Sequence, residues 1–387
     1  MKIAKIETVS VNVPPREQKT AARRAPWTAD AEVANPMSKF PEYKRHRSLW
    51  MPRWGGCWVK VTAEHGTYGM GPLSYANITA PIINGHFAKL LEGQNAFAIE
   101  RAWDMMFRMS KPYGTVGLAA VAMSGVDLAL WDLSGKLQKR PVYELLGGPL
   151  RDGVFTYATG NDIDWYLELG FKAVKLACPY GPADGLAGLD GNEKLVAETR
   201  ELVGDGVEIM LDCYMAFDVE YTVRLAERLR PYRLKWIEEY LIPEDLDGHV
   251  AVRERLPWQT LATGEHMYTS WPFKFLIDRR AIDIVQPDMH WVGGLTPCRH
   301  IAEMANVAGL TVIPHGGAMS PYAMHLSVAM PNMPWGEFFV GTPPGVPLEE
   351  MTRMPGYNVP KGSWTTVNDA PGFGIDIPQE WISPYEG

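Results

Sequence analysis

Three acids, Asp212, Glu238 and Glu265, each close a short apolar run, and they recur at intervals of 26 and 27 residues. The runs are Ile209-Met210-Leu211, Trp236-Ile237 and Leu261-Ala262-Thr263-Gly264. Continuous apolar stretches of this length read as strands buried on both faces of a parallel sheet, and the interval is about one strand-helix-strand repeat. In a barrel of parallel strands that repeat places all three carboxylates at one rim, where their oxygens converge. Such a set suits a hard divalent cation, magnesium above all, because it leaves positions open for water and substrate oxygens. Any one of these acids alone would read as a helix cap or a solvated loop residue; three in register favour the metal.

The chain has 387 residues, and a barrel takes roughly 250, so the remainder is expected to form a second, smaller domain. Apolar residues make up 46%, enough for a large core, and the net charge of −8 is spread along the chain, which argues against nucleic acid as a partner. No apolar run reads as membrane-spanning, and the opening Met1-Lys2-Ile3-Ala4 reads as a strand rather than a leader. Cys57, Cys178, Cys213 and Cys298 are far apart, as free thiols in a reducing compartment would be. A soluble cytoplasmic enzyme is the expectation.

In chain order, residues 1–13 alternate as a strand, and residues 14–49 form an irregular stretch carrying Arg16, Arg23, Arg24, Lys39, Arg45 and Arg47. A loop so long is expected to act as a lid, and its basic side chains would suit an anionic ligand. A hairpin turning at Glu64-His65-Gly66 and helical periodicity over 83–107 and 116–136 complete a small α+β domain, drawn as residues 1–130. Eight strands then follow, at 155–159, 173–177, 208–212, 234–238, 260–264, 282–287, 311–314 and 337–340, so a closed α/β barrel is expected over 131–342. No GxGxxG fingerprint supports the alternative, an open doubly wound sheet. The Pro- and Gly-rich residues 343–387 are expected to pack back on the small domain.

The sixth barrel strand runs into Gln286-Pro287-Asp288 and the seventh into Pro314-His315-Gly316. On neighbouring strands at the acid rim, Asp288 can hold one ring nitrogen of His315 and leave the other to take a proton. A base beside a metal points to proton abstraction next to a carboxylate. Glu337, near the start of the last strand, would project to the same centre; pushed towards its neutral form, it would donate to the developing enolate. Lys175 is placed to touch a substrate carboxylate. His266 would line the pocket unless strand alternation turns it to the far side.

Together these residues resemble the mandelate racemase branch of the enolase superfamily, in the helix stretch from Asp127 to Gly148, the triad Asp212, Glu238 and Glu265, and the pair Asp288 and His315. Asn35-Pro36-Met37-Ser38-Lys39-Phe40, Tyr157-Ala158-Thr159-Gly160, Gly264-Glu265-His266 and Pro314-His315-Gly316 look most like its L-rhamnonate dehydratase group. The resemblance implies a modified (β/α)7β barrel with an N-terminal capping domain, one Mg2+ per subunit on the three acids, His315 as base tuned by Asp288, Glu337 holding the enolate, Arg47 binding substrate, and a homo-oligomer. Racemases of this branch carry Lys-x-Lys on the second barrel strand, where this chain has Lys175-Leu176-Ala177. With no base on that face, elimination is expected, turning an aldonate, L-rhamnonate or L-lyxonate, into its 2-keto-3-deoxy acid. The group is expected to use a lid histidine at the sugar's distal end, yet no His precedes His46. Another aldonate dehydratase, a racemase, or a non-catalytic ligand-binding protein of this fold are the alternatives.

Overall fold

The computed structural model describes residues 1–43, 51–351 and 353–387. Strands β1 (Ile3–Val11), β2 (Gly56–Ala63) and β3 (Tyr68–Ser74) form an antiparallel sheet in that order. Against β3 packs the helix Leu118–Gln138, and the approach is so close that a side-chain carbon on Gly71 would strike the carbonyl of Gly125. This helix is long and apolar enough to cross a membrane, contrary to the reading above, but nearly all of it is buried inside the protein. Its two internal acids explain why it is the signature stretch. Asp127 accepts from the backbone N (3.0 Å) and hydroxyl (2.6 Å) of Thr296 on a barrel helix, while Asp132 accepts from Met70 N and Phe373 N. A boundary at 130/131 would cut this unbroken helix, so we draw it after Gln138.

The helix expected over 83–107 is interrupted. Ile3 N donates to Gln94 O and Gly93 N to Ile3 O, so the edge of β1 captures the backbone there and a second helix starts only at Ile99. All four cysteines are buried free thiols.

The barrel strands are β4 (Gly153–Thr159), β5 (Ala173–Ala177), β6 (Glu208–Asp212), β7 (Trp236–Glu238), β8 (Leu261–Thr263), β9 (Ile284–Val285), β10 (Thr311–Val312) and β11 (Trp335–Phe339). They pair in parallel in sequence order from β4 to β10, and β11 returns to pair with β4, giving the expected eight-stranded barrel with its capping domain. The tail divides its contacts. β12 (Trp364–Thr366) pairs antiparallel with β4 on the barrel, while β13 (Ile382–Pro384) joins β1 on the small domain, where Phe373, Ile375 and Ile377 also pack.

Strand alternation positions the site. Tyr157, Ala173, Met210, Trp236, Ala262, Ile284 and Ile313 form one apolar cluster, joined by Trp335. Two residues further along the same strands lie Thr159, Lys175, Asp212, Glu238, Gln286, His315 and Glu337. A period of two puts each on the face of its apolar predecessor, so polar groups form the layer above an apolar plug.

Candidate active site

Glu265 breaks that parity, and Gly264 is the reason. Gly264 has φ +136°, a conformation side chains avoid, and it swings the next residue inward; a side chain there would also meet the ring of Phe273. Gly264→Ala is expected to cost about 2 kcal/mol or more of stability, measured as a lower urea midpoint.

Lys175 sits at the centre of the polar layer and is 1% exposed. Its Nζ lies 2.8 Å from Glu337 Oε1 and 3.4 Å from Asp212 Oδ2, and it pairs closely with Glu238 Oε1. The ammonium has three donors, and three carboxylates take them. Held so, Lys175 stays charged well above the usual lysine range: burial opposes the charge, and Glu238, Glu337 and Asp212 overrule it. It lies beneath the cavity rather than lining it, so the structure gives it carboxylates where a substrate carboxylate was expected.

The three acids expected to hold a metal lie at this layer or beside it. Glu238 Oε2 accepts from Trp236 Nε1 and Gln286 Nε2, both at 2.8 Å, which with Lys175 leaves about one lone pair unused. Asp212 Oδ1 accepts from Tyr214 N. Glu265 Oε1 lies 3.3 Å from His315 Nε2. Burial raises Glu238 to about 7, with Asp212 and Glu337 adding to it against Lys175, and burial raises Glu265 to about 8 with Glu239 and Asp212 adding to it. Lys175 beside Glu238 and His315 beside Glu265 offset this only in part, so both buried carboxylates keep raised values. An all-oxygen set short of positive charge fits a magnesium ion. Among the described residues, the three metal-ligand types whose atoms all come within 4.8 Å are instead Glu239, Glu265 and His266. That group is already spent on a hydrogen bond, since His266 Nδ1 lies 2.6 Å from Glu239 Oε1, and it includes a nitrogen, which magnesium favours less.

His315 Nδ1 lies 2.6 Å from Asp288 Oδ2, leaving Nε2 facing Glu265. Burial works against an imidazolium, yet Glu265, Asp288 and Glu337 hold the ring protonated well above its usual range. Glu337 is surrounded by donors. Burial alone would raise it, but Lys175, His315 and Thr159 hold it down at about 2; Oε1 accepts from Thr159 Oγ1 (2.5 Å) and Oε2 from Gly316 N (2.9 Å). Both of its oxygens thus accept hydrogen bonds.

His266 lies on the site's side, its Nε2 3.9 Å from Glu265 Oε1 and its ring edge-on to Tyr214. His266 keeps the parity of Ala262, and it is Glu265 beside it that departs from simple alternation. His290 turns away to Ser320 Oγ at 3.1 Å. Arg45, His46 and Arg47 lie outside the described residues. Two other lid arginines do not face the site: Arg24 pairs with Asp162 and Asp164, and Arg23 with Glu168 at 2.7 Å.

Above the polar layer lies a cavity of about 290 Å3. Asp212, Glu265, His315 and Glu337 reach it from below, Ala177 from β5, and Trp27 and Val33 from the lid. The two lid residues were missed in the sequence because their stretch has no periodicity to read.

Residues 57–147 match the mandelate racemase/muconate lactonizing enzyme N-terminal domain, and residues 162–381 match the enolase C-terminal domain-like family. The chain is 40% identical over 355 residues to an L-rhamnonate dehydratase of Saccharopolyspora erythraea, covering 91% of this chain and 90% of that one. The crystal structure of L-rhamnonate dehydratase from Gibberella zeae superposes with a TM-score of 0.90 at 32% identity, covering 99% of this chain and 96% of that one. A crystal structure of rhamnonate dehydratase from the same organism complexed with Mg superposes equally well, at 32% identity, covering 98% of this chain and 95% of that one.

Proposed function

Since the chain belongs to the mandelate racemase and muconate lactonizing enzyme family, we propose that it is a Mg2+-dependent acid-sugar dehydratase acting on L-rhamnonate or L-lyxonate. The observation that carries the reading is a cavity whose lining, among the described residues, holds one imidazole and no lysine. His315, oriented by Asp288, enters from β10, and β5 across the ring offers only Ala177. A racemase needs a second base on that opposite face.

In this reading Asp212, Glu238 and Glu265 hold one Mg2+, and Lys175 holds Asp212 and Glu238 in place from beneath. When bound, the ion supplies the positive charge that stabilises the enolate formed at the substrate carboxylate. With Glu265 committed to the ion, the carboxylate that most favours the imidazolium is withdrawn and His315 Nε2 is left free. It takes the C2 proton and returns it to the departing C3 hydroxyl, so one side chain serves both steps and water leaves. The enol then tautomerises to the 2-keto-3-deoxy acid. Glu337 keeps Lys175 and the Gly316 backbone fixed beneath the reacting carbons, while His266 and Arg47 contact substrate hydroxyls. The free buried thiols are compatible with a cytoplasmic setting, and a homo-oligomer is expected from the family, to be read by light scattering.

The test is an assay of purified protein with Mg2+ against L-rhamnonate and L-lyxonate, with the keto acid detected as its semicarbazone. Chelation by EDTA should abolish turnover and added Mg2+ restore it; activity that survives chelation would sink the metal reading. The metal should also show in stability. Protons compete for Glu238 and Glu265, whose values of about 7 and 8 lie above those of the unfolded chain. Ionising them without metal costs stability as pH rises through that window. The rise in melting temperature on adding Mg2+ should therefore be larger at pH 8 than at pH 6, and equal shifts would count against these ligands.

A further inference from the structure

Taking the dehydratase reading as given, His315 must present Nε2 to the substrate at a fixed angle, and one hydrogen bond cannot fix it. The 2.6 Å contact of Nδ1 with Asp288 Oδ2 pins one atom of the ring and leaves the imidazole free to swing about that contact. The side chain is 29% exposed, so packing does not enclose it on every side. What stops the swing lies behind the ring.

Trp291 lies across it. The indole centroid is 5.5 Å from that of His315, with the planes 33° apart, and 5.3 Å from that of His266, with the planes 40° apart. One indole is thus wedged between the imidazole beyond β10 and the imidazole beyond β8. His266 makes a firm second wall, since Glu239 Oε1 holds its Nδ1 at 2.6 Å and Tyr214 stands edge-on to it. Trp291 is not among the described residues that line the cavity over the metal acids, so any effect it has on the reaction passes through the histidines.

The indole is itself held from the small domain. Trp291 sits in the turn that follows Asp288, its backbone N donating to Asp288 O at 3.1 Å. Its Nε1 donates to Ser74 Oγ at 3.3 Å, at the end of β3. Two residues on, Gly293 N donates to Ser124 Oγ and Gly293 O accepts from Trp103 Nε1, both at 2.9 Å and both on small-domain helices. The turn that carries the orienting acid and the indole is therefore clamped by the small domain at three points.

We infer that Trp291 is a positioning residue: seated by Ser74 and backed by His266, its indole face fixes the ring plane of His315, so the small domain sets the angle at which the base meets C2. A flat face restrains the tilt of a neighbouring ring and leaves its outer nitrogen open. A base misplaced by about 1 Å can cost about 10²-fold in rate, so the contact acts on kcat.

The experiment is steady-state kinetics on L-rhamnonate and L-lyxonate with saturating Mg2+, each acid also deuterated at C2, for the wild type, Trp291→Leu, Trp291→Phe and Ser74→Ala. Trp291→Leu should lower kcat about 10- to 100-fold and leave KM within about threefold of the wild type. Its isotope effect should be at least as large as that of the wild type, because proton abstraction is the step that slows. Trp291→Phe keeps a flat face without the bond to Ser74, so it should recover most of the rate and match Ser74→Ala, and the two changes combined should lose no more than either alone. Wild-type kcat in Trp291→Leu, a loss carried by KM, or an isotope effect that shrinks overturns the positioning role and leaves the dehydratase reading intact. Should Trp291→Leu fail to fold, the milder variants decide: a fall in kcat at constant KM in both supports the role, and wild-type kinetics in both overturn it. A wild type that turns over neither acid overturns the dehydratase reading and the role with it.

Discussion

Replacing His315 by Asn should lower kcat by about 10³-fold or more while leaving the fold and the response to Mg2+ in place. The asparagine amide can still donate to Asp288, now 2.6 Å from Nδ1, so the buried carboxylate keeps a partner. What is lost is Nε2, the group proposed both to take the C2 proton and to return it to the leaving hydroxyl. General base catalysis is worth about 10² to 10⁴, and a residue used twice sits at the upper end. Exchange of the C2 hydrogen with deuterated solvent should disappear along with turnover, because no second base enters from Ala177. A variant that still exchanges that hydrogen would mean the base lies elsewhere, and one that melts far below the wild type would mean His315 is structural.

What could be read from the sequence follows from how far each signal reaches. The barrel acids and the pair Asp288 and His315 were legible because each ends an apolar strand run, and strand period and βα spacing carry them to one rim without knowledge of tertiary contacts. Glu337 was legible in place but its partners were not: Lys175 lies on a strand two places away round the ring and Gly316 N in the loop after β10, neither local in sequence. The ion pairs of Lys175 were not legible for the same reason, since its three partners sit on β6, β7 and β11. The break between residues 91 and 99 is decided by β1, nearly a hundred residues earlier, and helical periodicity cannot register that. Trp27 and Val33 lie in a stretch without repeat or element, where only docking against Asp162 and Cys178 gives them a position.

Replacing Lys175 by Met should have the largest effect on stability, and its pattern separates a structural ammonium from a substrate-binding one. The change removes the one cation shared by three carboxylates, two of them fully buried, and breaking such a buried cluster by deleting one partner costs about 3 to 5 kcal/mol. The cost has a predictable pH course. Glu337 is held at about 2, below its unfolded value, so in the wild type it contributes stability that is complete above the unfolded carboxylate range and is lost as pH falls towards 2. Without Lys175 that contribution goes, and Glu337 joins Glu238 in resisting ionisation. Lys175→Met should therefore be least stable at high pH and recover as the medium is acidified towards pH 5, the reverse of the Glu337 contribution in the wild type. Mg2+ should restore more stability to the variant than to the wild type, because the ion meets a site with one more uncompensated negative charge. If urea unfolding instead shows Lys175→Met within 1 kcal/mol of the wild type at pH 8 while KM rises steeply, the ammonium serves the substrate and the carboxylates do not depend on it.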